Sequence, residues 1–250
     1  MDQACVKTAL VTGSSSGLGK AIARELEKRS FRVIGLGRNK PDGVRDEDFI
    51  LCDLNNPAEL EKVPQELARR TAQLDVLVNN AGFGGYALWE ELPQSDLRRM
   101  FEVDFFAPVR LAQLLLPMLT QTQGAIVNIS SVAALAPVPC MGAYSAVKAA
   151  LLSFSQTLRS EAALHKVRVL TVCPGRISTG FSSRAITLRQ CPDTPGNKVD
   201  PARFARKVCN NIERNRRLLV FPAWYQLFIA FTRRCPELYM RMALKVWKLR

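Results

Sequence analysis

Histidine is all but missing: the 250 residues contain one, His165. That excludes a catalytic triad built on any other histidine, and it excludes a histidine-rich zinc site. Cysteine is present but unpatterned. Its seven copies, at 5, 52, 140, 173, 191, 209 and 235, are odd in number and form no CxxC pair. Neither a disulfide framework nor a zinc ribbon is indicated, no metal is expected, and a reducing compartment fits best. The opening "MDQACVKTALVTG" has no cationic segment leading into an apolar core and cleavage site. No signal peptide is therefore expected, and a cytoplasmic location is. Near the other end the uncharged run Leu218 to Thr232 is fifteen residues long with Pro222 inside it, short of a membrane span. Internal repeats and low-complexity linkers are also missing.

What is there is enough apolar content, 48%, to bury one large core. Short aliphatic or β-branched runs occur at "VKTALVT", "FRVIGL", "DFILC", "LDVLVN", "GAIVNIS", "VRVLTV" and "RLLVF". Between them lie helical periodicities over 20–29, 58–71, about 95–120, about 143–164 and 201–214. Seven strands alternating with helices predict an α/β fold: a single-domain, Rossmann-type doubly wound sheet of about seven parallel strands, with helices on both faces. Residues 1–221 are expected to form the main α/β unit. Residues 222–250 form a helical, apolar and basic extension, either part of the same domain or membrane-associating. The Pro/Gly cluster "CPDTPGN", starting at residue 191, reads as a loop within the domain.

Between the first strand and first helix stands "TGSSSGLG", residues 12 to 19. Gly13, Gly17 and Gly19 fall where a parallel sheet binds a dinucleotide. One glycine permits the tight turn and the others admit pyrophosphate and helix close to the backbone. Amides at the helix N-terminus then face phosphate charge. The spacing differs from the G-x-G-x-x-G of the general fingerprint.

In chain order there follow Asp53, "NNAG" at 79–82, Ser131, "YSAVK" at 144–148 and "PG" at 174–175. With these motifs the sequence resembles the short-chain dehydrogenase/reductase family from Val6 to about Phe221. In style it is nearest the NADP-preferring members that act on hydroxysteroids, retinols and lipid carbonyls. The resemblance implies an oxidoreductase that interconverts a hydroxyl and a carbonyl. Tyr144 would be the general acid/base, Lys148 would lower its pKa and hold the cofactor ribose, and Ser131 would stabilise the substrate oxygen. The chemistry agrees. Tyrosine, with an ordinary pKa of about 10, needs a neighbouring cation to become a base, and residues four apart share a helix face. The resemblance also implies that Gly13, Ser14, Ser15, Ser16, Gly17, Leu18, Gly19, Asn80, Ala81, Gly82, Tyr144, Lys148, Pro174 and Gly175 surround the cofactor. Asp53 and Leu54 would meet its adenine, and Asn80 would brace the central strand.

One position departs from the family. Where its members carry an asparagine in the helix before the fifth strand, "FEVDFFAPV" places Asp104. Asp104 either imitates that residue through its backbone in a kinked helix, or changes the proton relay at Lys148, or weakens catalysis. After the second strand, "IGLGRNK" offers no acidic residue for ribose hydroxyls, and Arg38 stands where a 2′-phosphate would be met. NADP is therefore expected over NAD.

The aromatic segment "VFPAWYQLFIAF" suits an apolar pocket lid, so a lipid, steroid or retinoid-like small molecule is the expected substrate. An oligomer surface or plain core explains the same stripe. Residues 201–250 hold twelve Lys/Arg against two Asp/Glu, +10 of the total +13. No nucleic-acid motif accompanies this charge, whereas a membrane surface fits its apolar interleaving. On a helix, "PELYMRMALKVWKLR" sets Glu237, Arg241, Lys245 and Lys248 opposite Tyr239, Met242, Ala243, Val246, Trp247 and Leu249. This is the pattern of a helix lying in an anionic interface on the cytosolic side, or of one docked on its own domain. A homodimer or homotetramer is implied by the resemblance. A catalytically weak nucleotide-binding module acting through its basic tail is the alternative function.

Overall fold

The computed structural model describes residues 6–190, 192 and 198–249. The loop expected at "CPDTPGN" lies outside the described residues except for Pro192.

Strands β1 (Thr8–Thr12), β2 (Arg32–Gly37), β3 (Phe49–Leu51) and β4 (Val76–Asn79) are separated by helices α1 (Gly17–Glu27), α2 (Pro57–Leu60) and α3 (Val63–Ala68). Then come a short strand β5 (Gly85–Tyr86), helices α4 (Gln94–Phe101) and α5 (Ala107–Thr122), β6 (Ala125–Ile129), α6 (Gly142–Ala162) and β7 (Arg168–Pro174). The chain continues through β8 (Ile186–Thr187), α7 (Pro201–Glu213), β9 (Leu218–Phe221), α8 (Tyr225–Arg234) and α9 (Pro236–Val246). Seven strands form one sheet in the order β3-β2-β1-β4-β6-β7-β9, every pairing parallel, and β5 pairs with β8 beside it.

The two-residue period of a strand divides the apolar content into two cores. Leu10, Leu36, Leu77, Ile126 and Val169 pack with α2, α3 and α5 on one face. Ala9, Val11, Val78, Val127 and Val172 pack with Ile22 and Leu26 of α1 and Phe204, Val208 and Ile212 of α7 on the other. Each fully buried aliphatic or aromatic side chain is worth about 1.5–3 kcal/mol. All seven expected runs are strands.

Two helix expectations are corrected. The segment 58–71 is not one helix: Pro64 has no N–H to give the preceding turn, and the chain makes α2 and α3 instead. The segment 95–120 is continuous but underwound at its middle, where residues 102–106 are π-helical and Ala107 N–H bonds to Glu102 O. Pro108 explains the bulge, because it cannot donate to the carbonyl of Asp104 four residues back. By length and mean hydropathy, 1.3, the stretch Gln94–Thr122 could cross a membrane. Here Leu111, Leu115 and Leu119 are fully buried against the sheet, making it a layer of the fold.

A third correction concerns the C-terminus. The last helix ends at Val246, and Lys248 is left-handed at φ 52°, so it no longer continues the helical row. The aromatic side assigned to a bilayer is partly used by the protein itself. Tyr239 and Ala243 are buried, Tyr239 Oη donates to Pro137 O at 2.8 Å, and Trp247 packs 6.2 Å from Tyr86.

Candidate active site

The C-terminal ends of the parallel strands open onto one cavity of about 1370 Å³, which is where open α/β sheets place ligands. Its first wall is the glycine-rich turn. Gly13 and Gly17 have φ of +65° and +56°, conformations that cost other residues, and a Cβ on Gly13 would lie 3.1 Å from Ala81 Cα. A Cβ on Gly19 would overlap the Gly13 carbonyl and the Asn80 amide. Gly19 is thus a packing glycine that lets α1 approach β4. No side chain caps the first turn of α1 at Ser16, so its amides point where an anion is favoured.

Gly13, Ser15, Ser16 and Leu18 line the cavity, joined by Arg38 and Asn39 after β2, by Asp53 and Leu54 after β3, and by Asn80, Ala81 and Gly82 after β4. Ser14, Gly17 and Gly19 are not on its surface. They hold the turn from behind, Ser14 being buried beside Gly35. Asn80 braces β1 to β4: its Nδ2 donates to Thr12 O at 2.9 Å, while the amides of Asn80 and Ala81 both donate to Thr12 Oγ1 at 2.9 Å. Asp53 Oδ1 accepts from the amide of Asn55, leaving the residue at the cavity rim.

Ser131, Tyr144 and Lys148 share the second wall with Pro174 and Gly175. Ser131 follows β6 and caps a single turn through Ala133 N at 3.1 Å. Tyr144 and Lys148, one helical turn apart on α6, are both buried. Lys148 Nζ donates to Ile129 O at 3.0 Å and lies 2.9 Å from Asp104 Oδ1. Asp104 Oδ2 accepts from Phe83 N at 3.1 Å. Glycine at 82 makes room for that carboxylate, since a Cβ there would overlap it.

Asp104 was a candidate catalytic residue; it is fully buried and does not reach the cavity. It touches the site through Lys148. Its backbone sits in the kink and its side chain holds the lysine.

Burial pushes the Tyr144 hydroxyl above the ordinary value; Lys148 pulls it down, as expected of it, and Asp104 counters that pull. Burial likewise pushes the Asp104 carboxyl up against the pull of Lys148. Burial would pull Lys148 down, but Asp104 and Tyr144 hold it above its usual value. The lysine's charge is largely answered by the aspartate, so less of it acts on the tyrosine.

Sequence reasoning missed a buried polar line behind these groups. Asn79 Nδ2 donates to Asn128 Oδ1, and Asn128 Nδ2 to Ser155 Oγ, each at 2.8 Å. It ties β4, β6 and α6 together. Ser130 Oγ adds a bond to Lys148 O at 2.8 Å. The sequence signal was an asparagine inside two otherwise apolar runs. Also missed was Arg184, whose guanidinium bonds Thr179 O at 3.2 Å and lies against Gly17.

The third wall is apolar. Phe181 packs 5.6 Å from Tyr144, and Phe83, Met141, Tyr225, Phe228, Tyr239 and Trp247 continue it. Tyr225 lies over Gly175, where a Cβ would strike its ring, and its hydroxyl accepts from Arg176 N at 3.4 Å.

The comparisons with known proteins agree with this architecture. A family model described as short chain dehydrogenase matches residues 7–187. An "11-beta-hydroxysteroid dehydrogenase-like 4A" protein of Arabidopsis thaliana is 30% identical, over 93% of this chain and 82% of its own. A short-chain dehydrogenase from Streptomyces avermitilis superposes with a TM-score of 0.81 at 29% identity, covering 99% of this chain and 98% of that one. One from Sphingobium yanoikuyae, solved in complex with NADPH, gives 0.76 at 28%, covering 92% and 96%. The fold, the order of its motifs and these matches together make the chain a member of the short-chain dehydrogenase/reductase family, an NAD(P)-dependent oxidoreductase.

Proposed function

We propose that the chain is an NADP(H)-dependent reductase of a carbonyl group on an apolar, lipid-, steroid- or retinoid-like substrate. The observation that carries this reading is a single cavity in which Ser131 and Tyr144 stand between a glycine-rich anion cradle and a wall of aromatic side chains. The cradle fits a dinucleotide: the uncapped first turn of α1 faces the cavity, and glycine at 13 and 19 lets the turn pack closely on Asn80 and Ala81 behind it. A nicotinamide cofactor bound there supplies the hydride. Ser131 hydrogen-bonds the substrate oxygen, and Tyr144, held protonated by burial, gives that oxygen its proton. Lys148 has three donors. Two are directed at Ile129 O and Asp104, and the third serves the ribose. A panel of lipid ketones with NADPH tests the reading. Turnover of long-chain or steroid ketones above that of sugars supports it, and no turnover of any ketone despite NADPH binding points to the nucleotide-binding module.

Preference for NADP over NAD rests on Arg38, the cation at the end of β2, on the cavity rim with no acidic residue beside it after the strand. Arg38→Asp removes the phosphate partner and offers a carboxylate to ribose hydroxyls. It is expected to weaken NADPH about 10- to 100-fold, the worth of a charge-assisted hydrogen bond, and to leave NADH nearly unchanged. Fluorescence titration of both cofactors measures this, and equal loss for both would make Arg38 a surface charge only. In the same reading two copies pair across the outer face of α5 and α6, where half-exposed Phe106 meets Phe105 edge-on at 5.3 Å.

A further inference from the structure

The α8–α9 pair has two faces that do different things. Inward, Tyr225, Ile229, Thr232, Tyr239 and Ala243 pack on the domain and help close the cavity. Outward, the pair leaves large apolar groups uncovered: Leu227 is 77% exposed, Leu238 53%, Met242 52% and Val246 49%.

Leu238, Met242 and Val246 are spaced by four and form one stripe along α9. Arg241 and Lys245, both exposed, form the row beside it. On α8, Leu227 and Arg234 are seven apart, on one outward row two turns long. Met242 and Val246 also line the cavity, so the exposed stripe runs into the pocket without a polar break.

From Arg214 to the C-terminus the sequence has one acidic residue, Glu237. A second copy set against this face would bring two strongly basic segments together, which repel. Nucleic acid would answer the charge but not the uncovered leucines. A surface that is anionic at its headgroups and apolar just beneath answers both.

We propose that the outward face of α8 and α9 docks on an anionic lipid bilayer, with Leu227, Leu238, Met242 and Val246 entering the headgroup–acyl boundary and Arg234, Arg241 and Lys245 against the lipid phosphates. The cavity mouth at Met242 and Val246 then faces lipid, and an apolar substrate enters from the bilayer instead of crossing water. That last step rests on the substrate reading above; the docking itself does not.

The test is co-sedimentation of the full chain with vesicles of phosphatidylserine and phosphatidylcholine, beside vesicles of phosphatidylcholine alone, at low and high salt. Pelleting with the anionic vesicles that falls as salt screens the charges is expected. Leu227→Asp with Leu238→Asp, and separately Arg241→Glu with Lys245→Glu, should lower vesicle partition about tenfold or more. None of these four lines the cavity, so NADPH binding, read by fluorescence, stays as in the parent. Equal pelleting with both vesicle types, or unchanged pelleting of the variants, overturns the proposal. So does a parent dimer that becomes monomeric with the leucine variants while never binding vesicles, which would make the face an interface between copies. Vesicle binding without turnover of any lipid ketone would leave the docking surface standing and remove the substrate reading.

Discussion

Tyr144→Phe is expected to lower turnover by between about 10²- and 10⁴-fold, the range of a positioned general acid, while leaving NADPH affinity unchanged. The ring itself is a packing element: it is buried, touches Phe181, and lies 5.8 Å from Lys148 Nζ across its face. Phenylalanine keeps all of that and removes only the hydroxyl beside Ser131. Stopped-flow turnover with any accepted ketone, set against cofactor fluorescence, separates the two effects. Undiminished turnover would move the proton donor elsewhere. A joint loss of turnover and cofactor binding would mean that the hydroxyl organises the pocket instead of reacting in it.

Asp104→Asn carries the second large effect. It leaves the shape behind Gly82 almost unchanged but takes a negative charge from a fully buried place 2.9 Å from Lys148. Removing one partner of a buried pair costs about 3–5 kcal/mol, so a clear drop in thermal stability at neutral pH is expected. The sign with pH follows from the lysine. In the parent its pKa is raised, so its contribution is present below the unfolded value and is lost only as pH rises through the folded one. In the variant, burial acts on Lys148 without the carboxylate and depresses it. Its penalty fades as pH climbs toward the unfolded value, and the gap between parent and variant should narrow with rising pH. Activity gives an independent readout. Asp104 helps to hold Tyr144 up, so in the oxidative direction, where Tyr144 must ionise to act as base, the acidic limb of the kcat/KM profile should move to lower pH. An unmoved limb with full stability would restrict Asp104 to its backbone role in the kink.

The same residue marks where the sequence stops being legible. The seven-stranded parallel sheet and the convergence of Ser131, Tyr144 and Lys148 could be read in advance, because strand runs, a glycine turn and an i, i+4 pair are local patterns with fixed geometric consequences; the strand order could not. The direction of the Tyr144 shift could not. It depends on whether a side chain forty residues upstream reaches the lysine, which spacing does not reveal. The Asn79–Asn128–Ser155 line was hidden for the same reason, its members being joined across 49 and 27 residues. Pro64 was visible and outweighed by periodicity, although a missing N–H decides the matter locally. For α9, the moment of the sequence was real, but which side meets the domain is set by Tyr239 finding Pro137 and by Trp247 finding Tyr86.

That buried asparagine–serine line has a consequence for how the molecule breathes. It joins β4, β6 and α6 through buried side chains, next to Ser131 after β6 and to Tyr144 and Lys148 on α6. Opening any one of them orphans amide groups in the others, so the three elements are expected to open together. Helices α8 and α9 are anchored differently, by Ile229 packed on Val132 and Ala136, by Trp247 against Tyr86, by Tyr239 Oη donating to Pro137 O and by Tyr225 Oη accepting from Arg176 N, with much of their surface in solvent. Faster amide hydrogen exchange is therefore expected in α8 and α9 than in β4, β6 and α6, so that the outer wall loosens before the catalytic geometry behind it.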